Sequence, residues 1–204
     1  EVAAYATVSL RDDLRVWVLD WVNAGIPRRN VWVGTTVEDQ ERADERIPHL
    51  LRIPARVRFL SCEPLLGPVD FDDVPLDDRC YGPWEGPKDN PVPGIHWVIC
   101  GGESGPKARP MHPQWARSLR DQCKAAGVPF LFKQNGHWRE PLEGEDYDTG
   151  KGRMASPPAF IVAPDGTVHC YPSEWTKGGV VMLGVGKSAA GRLLDGVEHN
   201  EFPA

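Results

Sequence analysis

Hydrophobic and polar positions follow two patterns along the chain up to residue 136. From Arg11 to Ala24 the apolar residues recur at helical spacing, which predicts an amphipathic helix that Gly25 and Pro27 end. The segments "NVWVGTTVE", "VRFLSCE", "IHWVICGGE" and "VPFLFKQ" are short, rich in β-formers and almost continuously apolar. They therefore predict four buried strands.

Helical patterns lie between these strands. The segment "DQERADERIPHLLRI" is charged first and apolar later, as a helix lying on a sheet is, and Pro48 is expected to break or kink it. After the third strand, Pro113 suits the first turn of a helix, and Gly127 with Pro129 ends it. The order α-β-α-β-loop-β-α-β over 11–136 predicts an α/β fold, with a parallel sheet covered by helices.

The chain divides into two predicted parts. Residues 1–136 hold the parallel sheet, with a Pro-, Gly- and Asp-rich insertion at 67–94 that is expected to be a long surface loop. Residues 137–204 are predicted to form an irregular extension. Within it, "AFIVAPDGTVHCY" predicts a β-hairpin at 159–171, and "GKSAAGRLLDG" predicts a short terminal helix closed by Gly196.

Three predicted strands each end in a carboxylate. Glu38 follows "VWVGTTV", Glu63 follows "VRFLSC" and Glu103 follows "VICGG", whereas the fourth strand ends in Lys133 and Gln134. Because the carboxyl ends of parallel strands form the ligand-binding edge of such sheets, we expect these side chains to converge on one mouth. Their chemistry suits metal binding, acid/base catalysis, or hydrogen bonds to ribose hydroxyls and an amino group.

A simpler interpretation is that these acids only stabilise the next helix, since a carboxylate near a helix amino end contributes about 0.3–1 kcal/mol. This interpretation fits Glu38, which precedes a predicted helix, better than Glu63, which Pro64 and a loop follow. We therefore expect Glu63 to face a ligand.

The segment "GGESGPKARPMHP" is the second candidate binding element. Gly101 and Gly102 let backbone amides approach a ligand closely, and Arg109 with Lys107 can meet a carboxylate or a phosphate. His112 is expected to cap the next helix. The position of this segment at the predicted mouth favours a binding role over an ordinary glycine-rich turn.

The composition of the chain limits the classes of protein to which it can belong. The chain has 204 residues, enough for one large domain or a domain with an appendage, and 41% of them are hydrophobic. No apolar run approaches the roughly 18 residues of a membrane span, so a soluble protein is expected. The net charge of −6 does not support nucleic acid as a partner.

The five cysteines are odd in number and contain no C-x-x-C pair. Neither a disulfide framework nor a zinc site is therefore expected, and the reducing cytoplasm is the expected location. Cys62 and Cys100 lie on predicted strands and are expected to pack as small apolar groups. Because the chain starts with Glu1 and a helical pattern follows almost at once, we expect it to be part of a longer one.

Several stretches together resemble the phage Gp37/Gp68 family, a DUF5131-type domain of unknown function: "NVWVGTTVEDQERADERIPHLL", "RVRFLSCEPLLGPV", "IHWVICGGESGPKARPMHPQWARSLRDQC", "GVPFLFKQNG" and "GRLLDG". Members look like radical S-adenosylmethionine enzymes. The resemblance implies a parallel-stranded partial TIM-like (β/α) barrel with a C-terminal β-hairpin extension, of which residues 1–136 are the C-terminal half. It also implies S-adenosylmethionine and a 4Fe–4S cluster as cofactors.

The chain departs from that pattern in its cysteines. None of the five has the clustered spacing that ligates such a cluster, so its ligands are not expected in this chain. The missing N-terminal half, or a partner chain, is expected to supply them. We assign the catalytic role to Glu63 and Lys133. The cofactor-binding residues are expected to be Glu38, Gly101, Gly102, Glu103, Arg109 and Gln134.

Two other functions remain open at this point. A metal-dependent hydrolase or lyase would use Glu38, Glu63 and Glu103 as oxygen ligands. A non-catalytic phage accessory domain would bind a partner through its acidic surface and the insertion at 67–94. The substrate does not follow from the residues.

Overall fold

The computed structural model describes residues 12–24, 28–72, 74, 76, 94–145, 158–171 and 176–203, and shows a mixed α/β fold. The first group of elements is α1 (Asp12–Ala24), β1 (Arg28–Thr36), α2 (Gln40–Leu51), β2 (Ala55–Cys62), β3 (Trp97–Gly101), α3 (Pro113–Ala126) and β4 (Phe130–Gln134). The second group is β5 (Trp138–Arg139), β6 (Ala159–Val162), β7 (Val168–Cys170), β8 (Val180–Gly184) and α4 (Lys187–Ala190).

The first four strands form one parallel sheet in the order β1-β2-β3-β4. Thr36 pairs with Ser61, and Cys62 pairs with Cys100, so the strands end close together in register. The prediction of parallel strands that alternate with helices is therefore confirmed. All four carboxyl ends lie along one edge of the sheet.

The two helices that cover this sheet begin at side-chain caps. Asp39 caps α2, since its carboxylate accepts a hydrogen bond from the backbone N–H of Arg42 at 2.9 Å. His112 caps α3 in the same way, as the sequence predicts, and Gly127 ends α3 in the left-handed conformation with φ 71°. Helix α2 runs through Pro48, so the proline does not end it.

Strand alternation gives the parallel sheet two different faces. On one face, Leu60 and Val98 pack with Ile47 of α2 and Leu119 of α3 in the main core. On the other face Trp32, Phe59 and Trp97 form an aromatic cluster, with ring centroids 5.9 Å apart for the two tryptophans and 6.0 Å for Phe59 and Trp97. Trp32 keeps 44% of its surface exposed.

The C-terminal segment covers the outer edge of β4. The backbone N–H of Phe132 donates to the carbonyl of His199 at 3.0 Å, and Glu201 N–H donates to the carbonyl of Phe130 at 3.3 Å. The Trp97 indole N–H also donates to the carbonyl of Glu201 at 2.9 Å. These bonds hold residues 199–201 beside β4, where a further strand would otherwise pair.

The insertion at 67–94 differs from its prediction where the structure describes it. Val69, Phe71 and Leu76 are buried in the main core, so this stretch is not a surface loop. Its apolar residues alternate with aspartates, and tertiary packing rather than composition decides which of them are buried. Residues 77–93 lie outside the described residues.

The remaining strands form an antiparallel sheet in the order β5-β8-β6-β7. The predicted hairpin is confirmed as β6 and β7, whose turn is closed by a 2.8 Å bond from Ala163 N–H to the Thr167 carbonyl. Strands β5 and β8 were not predicted, because β5 has two residues and β8 is a short apolar run without a helical or alternating period. The extension is therefore more regular than its sequence indicates.

This second sheet shares the core of the first. Trp138 and Met182 pack in the main hydrophobic cluster together with residues of α3 and β4. Helix α4 has four residues and Gly191 follows it, so the terminal helix is shorter than the predicted one, which ended at Gly196. No described helix combines the length and the apolarity that crossing a membrane requires.

Candidate functional site

Glu63 lies directly after β2, and its carboxylate accepts hydrogen bonds from two side chains at the end of β4. Its Oε2 accepts a hydrogen bond from Lys133 Nζ at 2.9 Å, and its Oε1 accepts one from Gln134 Nε2 at 2.8 Å. The Glu63 side chain is 17% exposed, whereas that of Lys133 is 56% exposed. The pair therefore has a partly buried anion and a cation in contact with solvent.

An irregularity in β4 explains how two consecutive residues reach the same carboxylate. Cys100 pairs with Phe132, but the next residue of β3, Gly101, pairs with Gln134. Lys133 is the extra residue of a bulge between these two pairs. Strand alternation alone would send Lys133 and Gln134 to opposite faces, so the bulge is what turns both of them towards Glu63.

Two glycines make room for this arrangement: Gly101, the last residue of β3, and Gly102, which follows it. A Cβ on Gly101 would lie 3.3 Å from the carboxyl carbon of Glu63, so the carboxylate packs directly over the glycine. A Cβ on Gly102 would lie 2.2 Å from the backbone oxygen of Asn135, closer than real side chains approach. The ends of β3 and β4 therefore come together only because position 102 carries no side chain.

Gln134 has one polar atom that the protein does not satisfy. The residue is 6% exposed, and its Oε1 is buried without a hydrogen-bond partner in the described part of the chain. Its Nε2 donates to the anionic Glu63, which fixes the orientation of the amide. A buried hydrogen-bond acceptor, for which the described part of the chain supplies no donor, therefore lies beside the Glu63 carboxylate.

Glu38 lies after β1 and is held by α2. Its Oε2 accepts a hydrogen bond from Arg46 Nη1 at 2.9 Å, and the same nitrogen donates to the carbonyl and hydroxyl oxygens of Thr36. Arg46 was not singled out in the sequence. Its place two helical turns after the first strand-end acid is the feature that could have identified it.

Glu103 forms a two-pronged ion pair with Arg109. The guanidinium donates from Nε to Oε2 at 2.8 Å and from Nη2 to Oε1 at 2.9 Å, and the backbone N–H of Arg109 also donates to Oε2. The side-chain hydrogen bond from Arg109 lowers the pKa of Glu103, and the same bond raises the pKa of Arg109. The negative charge of Glu38 raises the pKa of Arg109 further, as a smaller cause.

The segment that carries Arg109 is held from the second sheet. The indole N–H of Trp138 donates to the carbonyl of Ala108 at 2.7 Å. The indole N–H of Trp115 donates to the carbonyl of Pro164 at 2.8 Å, and a ring nitrogen of His112 lies 3.1 Å from the carbonyl of Gly178. Trp138 is a positioning residue that the sequence analysis missed, because its role depends on contacts across the two sheets.

The site residues of the sequence analysis thus lie along one edge but in separate pairs. Glu63 is hydrogen-bonded to Lys133 and Gln134. Glu103 forms an ion pair with Arg109, and Glu38 forms one with Arg46. Lys107 has no described bond to any of these acids. Each carboxylate along the edge is therefore balanced by a cation of the same chain.

The cysteines near this edge are core residues. Cys62, Cys100 and Cys123 are fully buried, and burial raises the pKa of all three thiols, to about 12 for Cys123. Cys170 is exposed and distant in sequence. In the described ranges, no three His, Cys, Asp or Glu side chains come together as metal ligands. Iron–sulfur clusters require thiolates, so the described cysteines do not fit that cofactor.

A comparison with known protein families finds one that matches almost the whole chain. The chain matches the family described as Protein of unknown function (DUF5131) over residues 4–203. It belongs to this family. The match spans both sheets, so the parallel sheet and the antiparallel extension are parts of one DUF5131 domain. No curated protein and no solved structure matches the chain.

Proposed function

We propose that this DUF5131 domain binds a small polar ligand at the carboxyl edge of its parallel sheet, as the C-terminal half of a radical-S-adenosylmethionine-type enzyme. The bulge at Lys133 and Gln134 carries the proposal, because it turns two neighbouring side chains towards one carboxylate. Bulges are frequent next to active sites, where they re-aim side chains. A purely structural acid at the end of β2 requires no such irregularity.

The chemistry of this edge suits a ligand that donates hydrogen bonds. Glu63 offers a carboxylate that is 17% exposed and paired with an exposed lysine, whereas Gln134 Oε1 is buried and does not face the solvent side of the edge. An amino group or hydroxyl groups of a ligand match such a carboxylate. S-adenosylmethionine, which the Gp37/Gp68 resemblance implies, carries both kinds of donor on its amino-acid and ribose parts.

The proposal gives a role to four groups of residues in this chain. Glu63 accepts hydrogen bonds from the ligand, and Lys133 holds the carboxylate in place and is the candidate acid/base group. Gly101 leaves room for the Glu63 carboxylate and Gly102 for the Asn135 backbone, so the two glycines shape the edge and, contrary to the expectation from the sequence, do not themselves admit the ligand. Glu103 and Arg109 form the neighbouring wall, and Glu38, held by Arg46, lies at the end of β1 on the same edge.

The 4Fe–4S cluster that the resemblance implies would need ligands from outside the described residues. The described cysteines do not fit a 4Fe–4S cluster, so the proposal assigns its ligands, and the strands that complete the partial barrel, to another part of the polypeptide or to a partner chain. A metal-dependent hydrolase is less well supported. Its three acids would each have to leave an ion pair with Arg46, Lys133 or Arg109 before they could ligate one ion.

Calorimetric titration of the chain with S-adenosylmethionine tests the proposal. We expect saturable binding that Glu63→Gln weakens about tenfold, since one charge-assisted hydrogen bond contributes about 1.4 kcal/mol or more. Glu143→Gln, at an exposed position after β5 in the chain, is the matched control and should bind like the unmodified chain. Absence of binding, or equal affinity for both variants, would contradict the proposal.

A further inference from the structure

Asn135 follows the bulge of β4 and bonds residues 190–193 with both its backbone and its side chain. Its backbone N–H donates to the carbonyl of Gly191 at 3.0 Å. Its Nδ2 donates to the carbonyls of Ala190 at 3.0 Å and Leu193 at 3.2 Å, and more weakly to that of Gly191 at 3.4 Å. These carbonyls lie at and after the end of α4, where helix carbonyls have no partner within the helix. One side chain therefore supplies donors to a whole turn of backbone.

The backbone around Asn135 is held on its other side by the residues that end and follow β3. The N–H of Gly102 donates to the carbonyl of Gln134 at 2.9 Å, and a Cβ on Gly102 would collide with the backbone oxygen of Asn135. A Cβ on Gly136 would lie 2.3 Å from the carbonyl oxygen of Glu103. Asn135 therefore lies between β3 and residues 190–193, in contact with both.

The turn to which Asn135 donates is itself fixed to α3. Asp195 accepts hydrogen bonds from Arg120 Nη1 at 2.6 Å and from Arg117 Nε at 2.8 Å. The bond from Arg120, followed by that from Arg117, lowers the pKa of the Asp195 carboxyl group. Both arginine side chains are less than a third exposed, at 22% and 28%. Asn135 therefore bonds a support that another element of the fold holds in place.

This support decides how β4 pairs at its end. In regular pairing Gly101 would stand beside Lys133, but it stands beside Gln134. The extra residue of a bulge has no partner of its own in the ladder, so contacts of the neighbouring residues must keep it there. The bonds of Asn135 supply such contacts one residue after Gln134. Without them β4 would be free to return to the regular register, which turns Gln134 away from Glu63.

We infer that Asn135 is a positioning residue for the candidate ligand edge. Through its bonds to residues 190–193 it holds the bulge that brings Lys133 and Gln134 to Glu63, and it acts through these side chains rather than on the ligand. The consequence for ligand binding rests on the proposed function. The consequence for the Gln134 amide does not, because the bond from Gln134 to Glu63 is present without a ligand.

Hydrogen exchange of the Gln134 side-chain amide, followed by NMR in the ligand-free chain, tests the inference. Asn135→Asp keeps the shape of the side chain but removes its donor, and Asn135→Ala removes both. We expect each variant to speed the exchange about tenfold or more, because the amide loses its bond to Glu63 through local opening. Urea titration identifies conditions in which every variant is folded, so that global unfolding does not contribute.

Asn200→Ala is the matched control. It removes an asparagine from residues 199–201, which cover β4 before the bulge, and the side chain of Asn200 bonds the exposed Arg192 and Glu198. The Gln134 exchange should not change in this variant. If neither Asn135 variant folds, Asp195→Asn takes their place, since it weakens the bonds that fix the turn to α3, and it should speed the exchange by a smaller factor.

Calorimetric titration with S-adenosylmethionine is the second measurement. Asn135→Asp should weaken binding about tenfold, as Glu63→Gln does, and Asn200→Ala should not. If the unmodified chain does not bind, the proposed function fails and the amide exchange alone decides on Asn135. Exchange that is unchanged in the folded variants, or that Asn200→Ala speeds equally, overturns the inference. Unchanged affinity of Asn135→Asp, where the unmodified chain binds, overturns it as well.

Discussion

Substitution of Glu63 by Ala removes the acceptor of two hydrogen bonds with very different surroundings. The donor from Gln134 is on a side chain that is 6% exposed, whereas the donor from Lys133 is on one that is 56% exposed. Without Glu63 the buried amide loses its partner, while the ammonium group remains in water. The two lost hydrogen bonds should therefore lower the free energy of unfolding by different amounts.

The size of each loss follows from these surroundings. Leaving a buried amide without a partner costs about 1–3 kcal/mol. An ion pair with a largely exposed lysine contributes about 0–1 kcal/mol. Glu63→Ala should therefore lower the free energy of unfolding by about 1–4 kcal/mol, and Lys133→Met by about 1 kcal/mol at most.

Urea denaturation at neutral pH, followed by tryptophan fluorescence, measures both changes. Glu143→Ala at an exposed position is the control and should stay within about 0.5 kcal/mol of the unmodified chain. Equal costs for Glu63→Ala and Lys133→Met would refute the reasoning, because the ion pair and not the buried amide would then dominate. A negligible cost for Glu63→Ala would show that the amide finds another partner.

Three further predictions concern the neighbouring residues. Gly102→Ala should lower the free energy of unfolding by about 1–3 kcal/mol in denaturant titrations, since its methyl group would collide with the backbone oxygen of Asn135; an unchanged midpoint would contradict this. The Glu103–Arg109 pair lowers the pKa of Glu103, so its contribution is complete above the usual pKa of about 4.3 and is lost as the pH falls through the lower folded value. The loss of stability in Arg109→Met should therefore shrink in urea titrations below about pH 4, and a constant difference would argue against the pair. Of the described cysteines, Cys170 alone should react with iodoacetamide in the folded chain, as mass spectrometry can check, and rapid labelling of the buried thiols would disprove it.

Local patterns in the sequence predicted the elements that depend on few residues. The apolar runs identify β1 to β4, and His112 and Gly127 mark the ends of α3, as the structure confirms. Such features depend on side-chain period and on the capping preferences of single residues. The position of Glu63 at the end of a strand also follows from the order of the residues.

Contacts between distant residues decided the rest. The bulge that turns Gln134 towards Glu63 depends on how β4 pairs with β3, and β4 itself contains no glycine or proline that marks it. The partner of Glu38 is Arg46 on the next helix, and Trp138 supports the Arg109 segment from the other sheet. These pairings join residues whose spacing follows no regular period.

The sequence by itself determined that parallel strands alternate with helices and that polar residues follow each strand, because both are properties of neighbouring positions. Only the tertiary structure decided which cation meets which acid, and that residues 199–201 cover β4 while the outer edge of β1 has no described partner strand. The physical reason is that hydrogen bonds and ion pairs depend on distances across the fold, which periodicity along the chain does not contain.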